Sequence, residues 1–341
     1  MHVLVHTETM ATRWGFCGAG RICEDFCATM VTLPREEHKL MAIADTFNDN
    51  AELYAQKFNI EKVYESYEDM ADDPDIDVVY IATINPDHHR LCLMFLKADK
   101  HVLCEKPMTL TLAGCEEILK VAKEKKLFFM EGEWSRCFPV YDQIRKELDS
   151  GSLGDVKLIQ TSICMSGPRC ERVEKRALGG GGLKDIGCYT IQAALLAFKE
   201  MPTKIVAEVD MADNGVDAGG SVILCYPWGK MAVLTYHTHI TGADNSLHIL
   251  GTRGSIHVEA PFWIPTKVRT PTGDYEFPLP DSDYHYNYEY SSGFVYEQNA
   301  VRDCLKKGLT ENPVITHAES RTIAAISDEI LRQFGIQYDS P

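Results

Sequence analysis

The sequence predicts an α/β domain built on a doubly wound parallel sheet, followed by an α+β domain with a large, open, mainly antiparallel sheet. Three observations carry this expectation. Strand-like and helix-like segments alternate from Trp14 to Met130, which calls for a parallel sheet covered on both faces. The first strand runs into a glycine turn, Gly18-Ala19-Gly20, at the start of a helix. From Glu131 onward the texture changes to closely spaced β-rich segments. A chain of 341 residues is also longer than one core usually supports, since cores stop growing near roughly 250–300 residues. The boundary is placed after 131, giving a first domain over 11–131 and a second over 132–341, with the closing helix expected to pack back on the first.

Residues 14–17 read as a short strand feeding the glycine turn, and 22–32 as a helix that ends before Pro34. Residues 38–44 form the next strand. Ala51, Tyr54, Ala55 and Phe58 recur at helical spacing, so 48–58 is a helix with one apolar face. The run DVVYIA at 77–82 is continuously apolar, as a strand covered on both sides should be. Helices at 88–98 and 111–124 then alternate with strands at 101–104 and 128–130. In the second half, a helix at 140–148 ends at Gly151 and a strand follows at 155–163. The glycine run Gly179-Gly180-Gly181-Gly182 leads into a helix at 185–197. Six β segments follow, at 204–210, 221–226, 231–239, 246–251, 254–259 and 266–270. The turns Trp228-Gly229 and Arg253-Gly254 suit an antiparallel meander. Helices at 294–307 and 317–334 close the chain.

Composition excludes several classes. The net charge of −16 disfavours nucleic acid and anionic membrane surfaces as partners, because both repel an acidic protein. The chain has no run near the roughly 20 apolar residues of a membrane span, and Val3-Leu4-Val5 is too short for a secretion signal. Twelve cysteines are scattered through core-like segments without a Cys-x-x-Cys pair, so reduced thiols in the cytoplasm are expected. Cys23 and Cys27 share a helix face, but no His/Cys pair completes a metal site, and none is assigned.

Gly18-Ala19-Gly20-Arg21-Ile22-Cys23 supplies the first two glycines of G-x-G-x-x-G, with Cys in the third place. The first glycine permits the tight turn, and the second lets the backbone approach a pyrophosphate at a helix N-terminus. Taken alone it is equally an ordinary glycine turn. Its context favours a dinucleotide, because Asp45 follows the second strand, 25 positions beyond Gly20. A carboxylate there accepts hydrogen bonds from ribose hydroxyls and repels a 2′-phosphate. Thr46 beside it carries no positive charge, so NAD is favoured over NADP. The third strand ends at Ala82-Thr83-Ile84-Asn85-Pro86-Asp87-His88, where open α/β sheets bind ligands. Thr83 and Asn85 are candidates for the cofactor there, and His88 either caps the next helix or contacts cofactor. Glu105-Lys106-Pro107 ends the following strand. A lysine beside a bound nicotinamide polarises a hydroxyl or carbonyl.

In combination, Gly18-Ala19-Gly20-Arg21-Ile22, Glu105-Lys106-Pro107 and Asp185-Ile186-Gly187-Cys188-Tyr189 resemble the Gfo/Idh/MocA oxidoreductase family. The likeness extends through Glu131-Gly132-Glu133-Trp134-Ser135-Arg136 and covers about 12–335. It implies a Rossmann domain followed by a substrate-binding and dimerisation domain whose open sheet joins two copies. It also implies hydride transfer between NAD(P) and a secondary alcohol or hemiacetal carbon of a sugar or cyclic trans-diol. The resemblance makes Lys106 the catalytic lysine and Tyr189 the proton donor or acceptor, its pKa expected to be lowered by Lys106. Asp185 would orient substrate hydroxyls or hold Lys106 charged. Glu131, Trp134 and Arg136 follow the last strand of the first domain, where the family approaches its ligands; Arg136 would equally suit an interdomain salt bridge. Thr46 stands where NADP-using members are expected to carry Arg. Two rival readings are a reductase of an anhydro-sugar ketone, dicarbonyl or bilin, and a catalytically silent dinucleotide-binding sensor.

Overall fold

The computed structural model describes residues 11–45, 50–166 and 170–338. Six parallel strands form the first sheet: β1 (Thr12–Cys17), β2 (His38–Ala44), β3 (Lys62–Tyr64), β4 (Val78–Ile81), β5 (His101–Glu105) and β6 (Phe129–Gly132). Their order is β3-β2-β1-β4-β5-β6, so the chain reverses direction across the sheet between β1 and β4. Ligands of doubly wound folds sit at that reversal, outside the carboxyl ends of the strands. Helices α1 (Arg21–Met30), α2 (Asn50–Phe58), α3 (Tyr67–Ala71), α4 (Asn85–Lys97) and α5 (Leu112–Lys125) connect the strands. β4 is buried along its whole length, as its unbroken apolar run requires.

Two short elements went unread in the sequence. β3 is three residues on the sheet edge, and α3 is a five-residue helix capped by Ser66, whose hydroxyl accepts the Asp69 N–H. Neither is long enough to show a period. α4 begins at Asn85 rather than at 88, because Pro86 fits the first turn, where no N–H is needed.

A 3₁₀ turn at Trp134–Cys137 and α6 (Pro139–Ser150) lead into the second sheet. Its eight strands are β7 (Val156–Cys164), β8 (Lys204–Met211), β9 (Asp217–Cys225), β10 (Met231–His237), β11 (Leu247–Gly251), β12 (Ser255–Val258), β13 (Lys267–Thr270) and β14 (Gly273–Glu276). The order β14-β13-β12-β11-β7-β10-β9-β8 corrects the expected simple meander. β7 inserts into the middle, pairs parallel with β10 and antiparallel with β11, and all other neighbours are antiparallel. The β9–β10 hairpin turns at Trp228 (φ 64°) and Gly229 (φ 71°), the two left-handed residues of a tight hairpin. Between β7 and β8 lie α7 (Glu171–Glu174) and α8 (Cys188–Phe198). α8 packs on the inner sheet face, while the outer face keeps Val206, Ile223 and Met231 exposed.

The last two helices, α9 (Phe294–Lys306) and α10 (His317–Phe334), return to the first sheet's layers. The Phe26 and Phe294 rings meet at 5.3 Å between α1 and α9. Asp328 on α10 accepts the N–H of Leu112 at the start of α5. One apolar core therefore runs from Trp14 and Phe26 through Trp134 and Phe294 to the inner face of the second sheet. No helix among the described residues is long and apolar enough to cross a membrane.

Candidate active site

The crevice at the β1/β4 reversal is built by two turns pressed together. Gly18 has φ +96°, and a Cβ there would stand 3.0 Å from both the Ala82 carbonyl and Thr83 Cγ2. Gly20 caps α1 without a side-chain cap, leaving the helix's first N–H groups directed outward. A Cβ on Gly20 would meet only the Ala82 oxygen, at 4.0 Å, so protein packing does not demand glycine there. Glycine there leaves the loop open on its outer side. Cys23 is buried, filling the place of the third glycine. Asp45 follows β2, and its Oδ2 accepts the Ala19 N–H at 2.9 Å, fixing the loop from the side where a ribose would lie. Thr83 Oγ1 is buried with no partner among the described residues. A loop cradle, an uncapped helix start and an orphaned hydroxyl together fit a dinucleotide. Arg21 opens α1 with its guanidinium 5.5 Å over the Tyr288 ring, and Ile22 packs on the core. Thr46 lies outside the described residues.

Lys106 stands just past β5, joined to Pro107 by a cis peptide bond. Its Nζ donates to the Asp185 carbonyl at 2.5 Å, lies 3.9 Å from Asp185 Oδ1, and sits 5.0 Å from the Tyr189 ring centroid. Trp134 Nε1 donates to the Tyr189 hydroxyl at 3.2 Å. Arg172, on α7, pairs with Asp185 Oδ1 at 2.6 Å. The structure therefore brings Lys106, Asp185, Tyr189 and Trp134 into one cluster at the carboxyl end of the first sheet.

The glycine run makes this approach possible. Asp185 lies in a π-helical turn, Leu183–Gly187, so the helix expected from 185 becomes α-helical only at Cys188. Asp217 braces that turn, its Oδ2 accepting from the Leu183 N–H at 2.6 Å and from the Tyr236 hydroxyl at 2.8 Å. A Cβ on Gly181 would stand 2.4 Å from Asp217 Oδ1.

Electrostatics set the charges. Burial opposes the Lys106 ammonium, but Tyr189, Cys188 and Asp185 together outweigh it and its pKa lies above the ordinary lysine value; at neutral pH, with Tyr189 and Cys188 protonated, the Asp185 carboxylate is the anion that holds it charged. Burial raises Asp185, yet Lys106 and Arg172 together hold its pKa below the usual carboxylate range. Tyr189 departs from expectation. Burial raises its pKa far more than Lys106 lowers it, so the hydroxyl is protonated at neutral pH.

Arg136, His88, Glu105 and Asn85 are each held by partners within the protein. Arg136 is 4% exposed, with its Nε on Gln192 Oε1 at 2.5 Å and NH2 on Glu319 at 2.9 Å. It makes the salt bridge that was one of its two expected roles. His88 is buried inside α4, its Nδ1 2.8 Å from the Pro107 carbonyl and Nε2 3.1 Å from the Thr83 carbonyl. It ties the two turns together. Glu105 accepts the Tyr80 hydroxyl at 2.6 Å, beneath the crevice, and burial raises its pKa. Asn85 donates to the Gly179 carbonyl at 3.0 Å and links α4 to the glycine run. Sequence reasoning missed Arg172, and also Glu133 and Glu297, two buried carboxyls next to the cluster. An Arg in an exposed-looking loop and a Glu on an amphipathic helix give no sequence signal of either.

Comparisons with known proteins match both domains. The family model described as "Oxidoreductase family, NAD-binding Rossmann fold" matches residues 12–133, and the GFO/IDH/MocA C-terminal domain matches 141–257. The trans-1,2-dihydrobenzene-1,2-diol dehydrogenase of Xenopus tropicalis is 39% identical over 330 residues, 96% of this chain and 100% of the relative. The human protein of the same name is 36% identical over 330 residues, 96% of this chain and 98% of its own. Among solved structures, a putative myo-inositol dehydrogenase from Sinorhizobium meliloti superposes with a TM-score of 0.78 at 25% identity, covering 95% of this chain and 98% of that one. A levoglucosan dehydrogenase in complex with NADH and levoglucosan has a TM-score of 0.83 at 20% identity, covering 96% and 98%, which shows the shared fold.

Proposed function

This chain belongs to the Gfo/Idh/MocA oxidoreductase family, and from that premise we propose that it oxidises a secondary alcohol of a cyclic trans-diol, or the hemiacetal carbon of a sugar, with NAD(P). The observation that carries the reading is the Lys106–Asp185–Tyr189–Trp134 cluster at the mouth of the dinucleotide crevice. The bound nicotinamide supplies the hydride acceptor. Gly18, Ala19, Gly20, Arg21 and Ile22 form the phosphate end of its site, Asp45 the ribose side, and Thr83, Asn85 and Glu105 the turns beneath it. Lys106, held charged by Asp185, stabilises the alkoxide that develops on the substrate. Tyr189 passes the hydroxyl proton, oriented by the Trp134 N–H. Asp185 anchors the lysine from both its carbonyl and its carboxylate, and Arg172 fixes that carboxylate in turn.

NAD is the preferred cofactor in this reading, because the Asp45 carboxylate repels a 2′-phosphate. The double change Asp45→Ala/Thr46→Arg is expected to shift the ratio of kcat/KM for NADP over NAD upward by about tenfold or more. An unchanged ratio would show that Asp45 is not at the ribose. The outer face of the second sheet, with Val206, Ile223 and Met231 exposed, is the surface through which two copies pair. All twelve cysteines are unpaired, which suits work in the cytoplasm. The decisive experiment is turnover of a panel of sugars and trans-diols with each dinucleotide. Binding of NADH with no turnover across the panel would replace this reading with the silent sensor.

A further inference from the structure

A protonated Tyr189 can take a substrate proton only if its own proton moves on. The groups around it indicate where. β5 and β6 run side by side with Cys104 opposite Glu131 and Glu105 opposite Gly132, and Lys106 and Glu133 leave the ends of these strands within electrostatic reach of each other. Glu133 is 1% exposed, and neither of its carboxyl oxygens has a partner among the described residues. It opens the 3₁₀ turn whose first residue, Trp134, donates to the Tyr189 hydroxyl.

The charged and titratable neighbours of Glu133 come from every element packed there. Glu105 and Lys106 face it from the end of β5, Glu131 from β6, Arg136 from the 3₁₀ turn, Tyr141 from α6, Cys188 and Tyr189 from α8, and Glu297 from α9. Most are committed. Glu105 holds the Tyr80 hydroxyl, Glu131 the Met108 N–H, Arg136 its Gln192 and Glu319 partners, and Lys106 the Asp185 carbonyl. Glu297 is fully buried with both oxygens unpartnered, and burial with Glu105 and Glu133 nearby keeps it neutral.

We propose that Glu133 is the proton acceptor behind Tyr189: as the substrate hydroxyl gives its proton to Tyr189 Oη, the phenolic proton of Tyr189 passes across a bridging water to the Glu133 carboxylate. One O–H bond breaks on the substrate and one forms on Tyr189, while one breaks on Tyr189 and one forms on Glu133. The hydride leaves to the oxidised dinucleotide, so no further oxidant is required. The step rests on the dehydrogenase reading above. Burial, with Glu131 adding and Lys106 opposing, pushes the Glu133 carboxyl up to about 8, where it changes charge close to neutral pH.

The test is kcat against pH in the oxidative direction for wild type and Glu133→Gln, beside thermal midpoints of both dinucleotide-free proteins over the same pH range. Wild-type kcat should rise through a limb near pH 8, because only ionised Glu133 can accept. E133Q should lose that limb and fall by about 10- to 100-fold on the alkaline side, with NADH affinity kept within about threefold. Glu133→Asp should restore part of both rate and limb. The folded protein holds the Glu133 proton to higher pH than the unfolded chain does. Wild-type stability from this group therefore falls as pH rises from the ordinary glutamate range to about 8, then levels. The midpoint of E133Q should climb relative to wild type across that window. A limb that persists in E133Q, or parallel midpoint curves, overturns the inference alone. A wild type that turns over nothing in the panel removes the parent reading and this step with it.

Discussion

Lys106→Met is expected to lower kcat by about a thousandfold while the NADH dissociation constant stays within about threefold. The ammonium is the one cation of the cluster that faces both the Asp185 carboxylate and the Tyr189 ring, at 3.9 Å and 5.0 Å. Its raised pKa means it enters the reaction charged, so what the mutation removes is charge placed where an alkoxide develops. Removing one such donor typically costs about 3–4 kcal/mol of transition-state stabilisation, which is two to three decades in rate. The fold should survive, because Asp185 keeps Arg172 at 2.6 Å and is not left as an unpaired buried charge. Tyr189→Phe, which deletes only the hydroxyl on Trp134, should lose about a hundredfold or more. Loss of kcat at unchanged dinucleotide affinity identifies an interaction made only in the transition state. Wild-type rates in both variants would leave the cluster without a catalytic role.

The order of strands and helices in the first sheet was legible because each buried strand is a continuous apolar run and each helix has a periodic face. Legibility failed where length or burial decided the outcome. β3 and α3 are too short for any period to emerge, and β14 is a polar edge strand without alternation. The insertion of β7 between β10 and β11 joins residues as distant as Leu158 with Met231 and Thr161 with Leu247, which no local pattern encodes. At the candidate site, the motifs of Lys106, Asp185 and Tyr189 suggested that these residues meet, and they do. The protonation state of Tyr189 was not, since the sequence suggests its charged neighbour but hides the burial that outweighs it. Arg136 is the same lesson with the opposite sign. An arginine after the last Rossmann strand suits either ligand or salt bridge, and only the positions of Gln192 and Glu319, 56 and 183 residues away, decide between them. Glu133 lay in plain view within a motif, its isolation from partners visible only in three dimensions.

The second large effect is expected away from the chemistry. Asp25→Ala should lower the thermal midpoint by at least about 5 °C, from a loss of roughly 3 kcal/mol. Asp25 is fully buried on α1, and its carboxylate accepts four hydrogen bonds: Asn287 N at 2.8 Å, Asn287 Nδ2 at 2.9 Å, Tyr288 N at 2.9 Å and Ser291 Oγ at 2.7 Å. These bonds fasten the helix that begins at Gly20 to the segment leading into α9. Alanine would strand the backbone N–H groups of Asn287 and Tyr288, while the Asn287 amide keeps Glu24 at 2.7 Å and the Ser291 hydroxyl keeps the Tyr288 carbonyl at 2.9 Å; an orphaned buried donor costs about 1–3 kcal/mol. Relaxation of the loop into water recovers part of that sum, which sets the estimate below the total. Asp25→Asn keeps an acceptor but turns an NH2 toward existing donors, so it should also destabilise, by less. The kinetic pattern should be the reverse of Lys106→Met. Loosening α1 moves the N–H groups offered to the dinucleotide, so its affinity weakens several-fold, by about 1 kcal/mol, while kcat at saturation is largely kept. A wild-type midpoint in Asp25→Ala would mean that the 287–291 segment does not hold α1 in place.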